Sequence, residues 1–358
     1  MQKKKSIDDL RKKINILDGE IVKLLNERLE YAIGIGKIKK EKKLPVYDAS
    51  RETEVIEKIK KLNKNFPEVF LKKIYTDIMA ASRLAERRLR VIFLGPEGSF
   101  THIAAKEKFP EAELISAPTI PAVFTEVEKN NGDFGVAPVE NSNNGIVTHT
   151  LDKLLTTSLT ITGEKLLKIS HNLLSKEKNL KNISTIYSHS QSFGQCENWL
   201  SKNFGSKIKL IPLESNSRAA EIAAKTKNAA AIGSILAAEI YGLNILSENI
   251  EDFENNTTRF LIIGRQPNKK TQIDKTSIAF AAKDRVGILH KCLEPFAKRR
   301  INLSKIESRP LKNVAWNYVF FVDFIGNSQD IEIKKALEEL DRYCAFIKIL
   351  GSYPDGRA

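Results

Sequence analysis

Arg28 and Lys39 stand eleven residues apart in a stretch where Leu10, Ile14, Leu17, Ile21, Leu24, Leu25, Leu29 and Ile33 recur every three or four positions. On a helix, eleven residues span about 16 Å and return to within about 20° of the same face. Arg11 lies about 25 Å off and points about 100° away. Within one chain it cannot easily serve the same pocket; in an antiparallel pairing it could serve its partner's. Asp48, Arg51 and Glu52 open a second helical stretch, and Ser82 and Glu86 sit one turn apart on a third. Four cations with a few hydrogen-bonding groups suit a small molecule bearing two carboxylates. Any one of them alone is more often a solvated charge on a wet helix face.

A second set of polar residues follows. Glu254-Asn255-Asn256-Thr257-Thr258-Arg259-Phe260 leads into the apolar run 260–263 and Gly264. A hydroxyl and a guanidinium at the mouth of a buried strand can serve an anion, or can be a polar turn. Gly95-Pro96-Glu97-Gly98-Ser99-Phe100-Thr101 joins a strand to a helix start, where backbone N–H groups favour anions. It is neither a Walker loop nor a Gly-x-Gly-x-x-Gly dinucleotide loop. Pro138-Val139-Glu140-Asn141-Ser142, Ser188-His189-Ser190-Gln191 and Glu214-Ser215-Asn216-Ser217 also close strands in polar groups. Ser, Thr and Asn with few charges beyond Arg259 suit hydrogen-bonding an anion and moving a proton, not holding a metal. The five histidines have no metal-ligand spacing. His102, His149, His171 and His189 are each more often structural, with His189 the best exception. Asp284-Arg285-Val286-Gly287-Ile288-Leu289-His290 puts a glycine turn at a helix start, and Glu307-Ser308-Arg309-Pro310 ends a strand at a proline.

The elements that must position these groups come in three grammars. At 358 residues, two or three domains are expected. Residues 6–88 hold no convincing strand. Ser6 with Asp8 and Asp9 starts a helix that runs to about Lys42 and breaks at Leu44-Pro45. A second helix spans about 48–62, and a third follows Pro67 and ends near Arg90. Three helices leave much of the long apolar stripe uncovered, so a dimer is expected. From Val91, short β-rich runs alternate with helical stretches, which predicts a largely parallel α/β region of two lobes around a cleft. The runs begin at 91, 113, 134, 159, 183, 208, 229 and 260. Residues 265–275 read as a linker. The remainder orders as βαββαβ, the ferredoxin-like α+β arrangement.

The net charge is +14, and residues 1–90 carry 24 Lys+Arg against 14 Asp+Glu, or +10 of it. That excess fits a solvated lysine surface or an anionic partner. No apolar run reaches the roughly 18 residues of a membrane span, and the start lacks the apolar core of a signal peptide. Three scattered cysteines make no disulfide framework, which points to a reducing cytoplasm.

In order and spacing, Leu10-Arg11-x-x-Ile14-x-x-Leu17-Asp18, Arg28, Gly36-Lys37-x-Lys39, Pro45-Val46-x-Asp48-x-x-Arg51-Glu52 and Ser82-x-x-x-Glu86 resemble the all-helical chorismate mutases. The resemblance implies an intertwined helical dimer over 1–90. Arg11 (from the other subunit), Arg28 and Arg51 would grip the carboxylates of chorismate. Asp48 and Glu52 would hold the hydroxyl. Lys39 would donate to the ether oxygen, with Ser82 and Glu86 beside it. A pericyclic rearrangement needs no nucleophile, only a held conformer and stabilised charge. Glu86 stands where many relatives carry Gln, and it can donate only when protonated.

Residues 91–268 resemble prephenate dehydratase through Gly95-Pro96-x-Gly98-Ser99-Phe100, the 138–142 and 188–191 stretches, Gly163-Glu164 and Asn256-x-Thr258-Arg259-Phe260. The resemblance implies that Thr258 assists departure of the ring hydroxyl. Arg259 would orient that loop or bind a carboxylate. Ser99, Thr101, Glu140, Asn141, Ser142, Ser188, His189, Gln191, Asn256 and Phe260 would complete the prephenate site. Residues 274–355 resemble an ACT regulatory domain, which implies L-phenylalanine binding by Gly287, Ile288, Leu289, His290, Glu307, Ser308, Arg309 and Pro310 at a dimer interface. The expected protein is therefore a multidomain bifunctional enzyme of phenylalanine biosynthesis, feedback-regulated by its end product, a homodimer or homotetramer needing no metal, nucleotide or organic cofactor and binding neither nucleic acid nor membrane. The alternative is a non-enzymatic ligand-sensing regulator whose basic helical dimer binds nucleic acid. It explains the N-terminal charge but not the acids on the pocket faces, and no helix-turn-helix or aromatic platform accompanies it.

Overall fold

The helical segment begins at a reciprocal cap. Asp9 N donates to Ser6 Oγ at 3.1 Å and Ser6 N donates to Asp9 Oδ2 at 3.2 Å, which satisfies donors left open at a helix start. In this computed structural model, which describes residues 6–42, 47–86, 88–253, 255–283, 285–310 and 318–356, α1 (Ile7–Glu41) is one continuous helix. The expected break at Leu44-Pro45 lies outside the described residues, as do Val46, Glu254 and Asp284. Asp48 caps α2 (Ala49–Leu62) by accepting from Arg51 N at 3.0 Å, and α3 (Glu68–Glu86) follows. Both α1 and α2 pack on α3. The apolar stripe of α1 stays open, with Leu10, Ile14, Leu17, Ile21 and Leu24 between 45% and 62% exposed.

The remainder of the chain is a separate compact unit. Its first lobe contains β1 (Arg90–Leu94), α4 (Phe100–Lys108), β2 (Glu113–Ala117), α5 (Ile120–Glu128), β3 (Phe134–Asn141), β4 (Gly145–Ile146), α6 (Thr148–Thr156) and β5 (Thr160–Lys168). The second contains β6 (Asn172–Ser175), β7 (Thr185–His189), α7 (Ser190–Gln195), α8 (Glu197–Phe204), β8 (Lys209–Leu213), α9 (Asn216–Ala223), β9 (Ala229–Gly233), α10 (Ile235–Tyr241) and β10 (Asn244–Ser247). The chain then returns as β11 (Thr257–Gly264) to the first lobe, whose sheet order is β2-β1-β3-β11-β5 with β4 beside β3. The second sheet is β10-β6-β9-β7-β8.

All eight runs marked in the sequence are strands, but the sheets are mixed rather than largely parallel. β11 is antiparallel to both β3 and β5, and β6 is antiparallel to β9 and β10. A strand returning from the second lobe enters the first sheet from the opposite end. The strands that periodicity missed, β4, β6 and β10, are two to four residues long, too short to show a period.

The C-terminal domain is β12 (Asp274–Ala282), α11 (Ile288–Lys298), β13 (Leu303–Pro310), β14 (Tyr318–Ile325), α12 (Ile331–Asp341) and β15 (Cys344–Pro354), with sheet order β13-β14-β12-β15. This is the expected βαββαβ. The preceding segment does not act as a loose linker. Arg265 donates to Val127 O and Gly132 O at 2.8 and 2.7 Å. One apolar core joins Val139, Ile161 and Leu261 of the first lobe to Phe321, Leu350 and Tyr353 of the C-terminal domain. A Cβ at Gly351 would lie 2.2 Å from Ile161 O, so only glycine lets β15 lie this close to β5.

Candidate functional sites

In the helical unit, Arg28 donates to Ser82 Oγ at 2.5 Å and Lys39 to Glu86 Oε2 at 3.1 Å. Ser82 and Glu86 are one turn apart on α3, roughly 6 Å, while Arg28 and Lys39 are about 16 Å apart along α1. The two long side chains therefore converge from either end on one short stretch of α3. Gly36 makes the approach possible, because a Cβ there would lie 2.7 Å from Glu86 Cγ. Glu52 is bound by Arg83, a residue the sequence reading passed over. Arg83 is 9% exposed and lies 5.4 Å from the centroid of the Tyr47 ring. Burial lowers its pKa, partly offset by Tyr47 and Glu86. Its signal in the sequence was its spacing, three before Glu86 and four after Met79, on the edge of the same face.

Other expected ligands are not gathered here. Arg11 is exposed and pairs with Asp8 at 3.8 Å, and Arg51 is exposed and pairs with Glu54 at 3.0 Å. Asp48 accepts from Arg51 N as a helix cap.

Thr258 sits at the start of β11, opposite Asn141 at the end of β3. Asn141 Nδ2 donates to Thr258 Oγ1 at 2.8 Å and to Asn256 Oδ1 at 2.7 Å, while its Oδ1 accepts from Asn143 N and Asn144 N. Those backbone donors fix which way the Asn141 amide faces. In turn Asn256 Nδ2 donates to Gln195 Oε1 at 3.2 Å, which also contacts His171 Nε2 at 2.7 Å. An oxygen cannot donate, so His171 carries its proton on Nε2. Its buried Nδ1 has no hydrogen-bond partner among the described residues. Burial lowers the His171 pKa despite Gln195 and Glu251. The chain Thr258–Asn141–Asn256–Gln195–His171 spans both lobes. Beside it opens a cleft of ≈ 720 Å³ lined by Asn143, Asn144, Gln191, Gly194, Gln195, Phe253 and Asn255, within the roughly 300–1,000 Å³ of small-molecule sites.

The remaining expected residues divide. Ser142 Oγ donates to Asn255 O and accepts from Thr257 N, bracing the loop. Ser188 is fully buried, and its hydroxyl and His189 N both donate to Asn216 Oδ1, at 3.1 and 3.0 Å. Asn216, not singled out as a site residue, is the hub of that corner. His189 Nδ1 accepts from Gln191 N at 3.3 Å. Ser99 caps α4 by accepting from His102 N, and Thr101 is buried. The glycine loop is less open to an anion than expected, because Gly98 N already donates to His102 Nδ1 at 3.0 Å. It serves as a joint: Ser234 Oγ donates to Gly98 O at 2.6 Å and Ser217 Oγ to Glu97 O, tying the lobes together.

Three expected prephenate ligands are engaged elsewhere. Phe260 is 1% exposed. Arg259 donates to Glu164 Oε2 and Asp323 Oδ2 at 2.6 Å each and to Tyr353 Oη at 2.8 Å. Glu140 accepts from Lys305 at 2.6 Å. The cavity that Arg259 and Lys305 line is ≈ 20 Å³, far below the roughly 300 Å³ a small ligand needs.

In the C-terminal domain Gly287 takes φ +75° at the start of α11, a conformation glycine adopts without strain. Ile288, Leu289 and His290 form the first turn. Val319 pairs with Ala281 on one side and Arg309 on the other. The Gly287 turn and Glu307–Pro310 thus lie at one end of the sheet. Arg309 faces α6, with Asp152 at 2.9 Å and Thr148 O at 2.7 Å, whereas Ser308 and Pro310 are exposed.

Among the described residues no helix is long and apolar enough to cross a membrane, and no group of three or more His, Cys, Asp or Glu is placed to hold a metal. Nothing in the fold or its relatives supports the nucleic-acid reading.

Residues 10–87 match the chorismate mutase type II family, 91–268 the prephenate dehydratase family and 276–342 the ACT domain family. A bifunctional chorismate mutase/prephenate dehydratase of Aquifex aeolicus is 45% identical over 354 residues, covering 97% of this chain and 98% of the relative. The prephenate dehydratase of Arthrobacter aurescens, solved in complex with L-Phe, is 31% identical with a TM-score of 0.69, covering 75% of this chain and 91% of that one. A protein described as a quorum quenching acylase is 26% identical with the same TM-score over 74% of this chain and 98% of its own. With three family matches in this order and a relative so similar along nearly its whole length, the chain belongs to the bifunctional chorismate mutase/prephenate dehydratases.

Proposed function

We propose that this chain rearranges chorismate to prephenate in its helical unit and converts prephenate to phenylpyruvate in its two-lobed unit, under control by L-phenylalanine at the C-terminal domain. In the first step Arg28 binds a carboxylate, Lys39 donates to the ether oxygen beside Glu86, and Glu52 with Arg83 frames the hydroxyl side. Charge growing on that oxygen is what such preorganised donors stabilise. The exposure of Arg11 and Arg51 and the uncovered stripe of α1 support a second subunit there. Each of those Leu and Ile side chains is about half exposed, so covering it would gain about half of the roughly 1.5–3 kcal/mol of a full burial.

In the second step the ring carboxylate leaves as carbon dioxide and the ring hydroxyl leaves as water. The observation that carries this reading is the Thr258 hydroxyl, which accepts from Asn141 beside the cleft. Asn141 fills a lone pair on Oγ1, so the threonine proton points elsewhere and is available to the leaving hydroxyl. Asn141 also steadies the oxygen as that proton departs, and cleft water restores it. An acylase reading fits less well. A threonine nucleophile needs a base within hydrogen-bond reach, and the side-chain partner of Thr258 is an amide donor.

The test is to give purified, metal-free protein chorismate alone and follow phenylpyruvate, with and without phenylalanine. Product that phenylalanine suppresses is expected. Accumulated prephenate would refute the Thr258 site, and unchanged chorismate would refute the mutase site.

A further inference from the structure

The strand pair that carries the dehydratase chemistry has a second face, occupied by the C-terminal domain. In the β3–β11 register Asn141 opposes Thr258 and Glu140 opposes Arg259. Successive strand residues point to opposite faces. Asn141 and Thr258 meet at one end of the hydrogen-bonded chain that reaches Gln195 in the cleft wall, while Glu140 and Arg259 meet side chains from the sensor sheet.

The grip there is dense. Lys305 of β13 donates to Glu140 at 2.6 Å. Asp323 of β14 and Tyr353 of β15 hold the Arg259 guanidinium, and Ser277 of β12 donates to the other Asp323 oxygen at 2.6 Å. All four strands of the C-terminal sheet thus contribute a residue. Lys305 and Arg309 share the inner face of β13, and Arg309 pins the same strand to α6 at Asp152. A shift of β13 would therefore pull on Glu140, the residue before Asn141.

We propose that the C-terminal domain sets the turnover of the dehydratase through Lys305–Glu140 and Asp323–Arg259, with these four acting as positioning residues for Asn141 and Thr258 rather than as substrate ligands. The inference rests on the dehydratase reading above and adds its route of control. Phenylalanine acts by moving β13, and the signal passes from Lys305 to Glu140 and so to the catalytic pair. Catalytic groups must be held within about 0.5 Å, and a misplacement of about 1 Å can cost about a hundredfold. Loss of one grip, with a shift of about half an ångström, corresponds to about tenfold.

The test uses full-length Lys305→Gln and Lys305→Arg, with Arg259→Lys as a second site and the urea unfolding of each sample compared with the parent, to report that the unit carrying these residues, separate from the mutase helices, is folded. For Lys305→Gln, kcat on prephenate is expected to fall about tenfold, with KM nearly unchanged and inhibition by phenylalanine largely lost. Lys305→Arg keeps the charge and is expected to stay near the parent in all three. Arg259→Lys is expected to lower kcat with little change in KM. Parental kcat and parental phenylalanine inhibition in Lys305→Gln would overturn the proposal. So would a raised KM at unchanged kcat in Arg259→Lys, the signature of a lost substrate contact. A parent inactive on prephenate would sink the dehydratase reading itself, and this proposal with it.

Discussion

Thr258→Val exchanges a hydroxyl for a methyl of similar volume at a residue 8% exposed, so packing is nearly conserved. Asn141 Nδ2 loses one acceptor but keeps Asn256 Oδ1 at 2.7 Å. An unsatisfied buried donor costs about 1–3 kcal/mol, less where cleft water reaches it. That is small beside a typical stability of about 5–15 kcal/mol, so the variant should fold. Loss of a positioned proton donor typically costs about 10²–10⁴ in rate, or roughly 3–5 kcal/mol at about 1.36 kcal/mol per decade. The expected result is a fall of that size in kcat for phenylpyruvate formation from prephenate, with KM changed less than about threefold because the hydroxyl acts mainly in the transition state. Mutase activity of the same sample should be unchanged. Thr258→Ser restores the hydroxyl and should recover to within about tenfold of the parent, against the two to four decades lost in valine. A valine variant that keeps more than about a tenth of the parent kcat, or that loses only affinity, would refute the proton-donor role, since even the weakest such donors supply about a hundredfold.

Two further perturbations bear on the other elements. Glu86 accepts from Lys39 at 3.1 Å, and Glu86→Gln supplies an amide N–H that can donate to the ether oxygen, so mutase kcat should hold or rise; a fall of more than about tenfold, or about 1.4 kcal/mol, would count against a donor at this position. Glu164 holds Arg259 and Lys275 at 2.6 Å each and accepts from Gly356 N at 2.9 Å with its side chain fully buried. Glu164→Gln should cost roughly 3 kcal/mol, the low end for breaking a buried ion pair, because Asp323 and Asp355 remain beside the two cations; a urea midpoint showing less than about 1 kcal/mol would contradict that.

Local chemistry was readable wherever a rule acts over a few residues. The cap at Ser6, the cap at Asp48, α11 and the eight longer strand runs follow from side-chain type and period alone. So did the shared direction of Arg28 and Lys39 on α1 and of Ser82 and Glu86 on α3, because a helix converts spacing into direction; that the two pairs meet is set by the packing of α1 on α3. The assignment of Thr258 to the dehydratase site rests on the resemblance, whose motif carries its own order. The direction of each residue around Thr258 was not readable. A run of polar residues at a strand start looks like one cluster in sequence, yet strand side chains alternate, and which face meets substrate depends on what covers the other. Arg259 and Glu140 therefore looked like ligands until β12, β13, β14 and β15 were seen to cover their face. Asn216 and His171 were named without a site role, and Gln195 was not singled out, because their hydrogen bonds cross between elements far apart in sequence. The sequence by itself determined the helices, the longer strands and the order of three functional segments, since these arise from periodicity and short-range caps. The tertiary structure decided which polar residues face the cleft and which tie the domains together, because a side chain's partner is set by long-range pairing that no local pattern encodes.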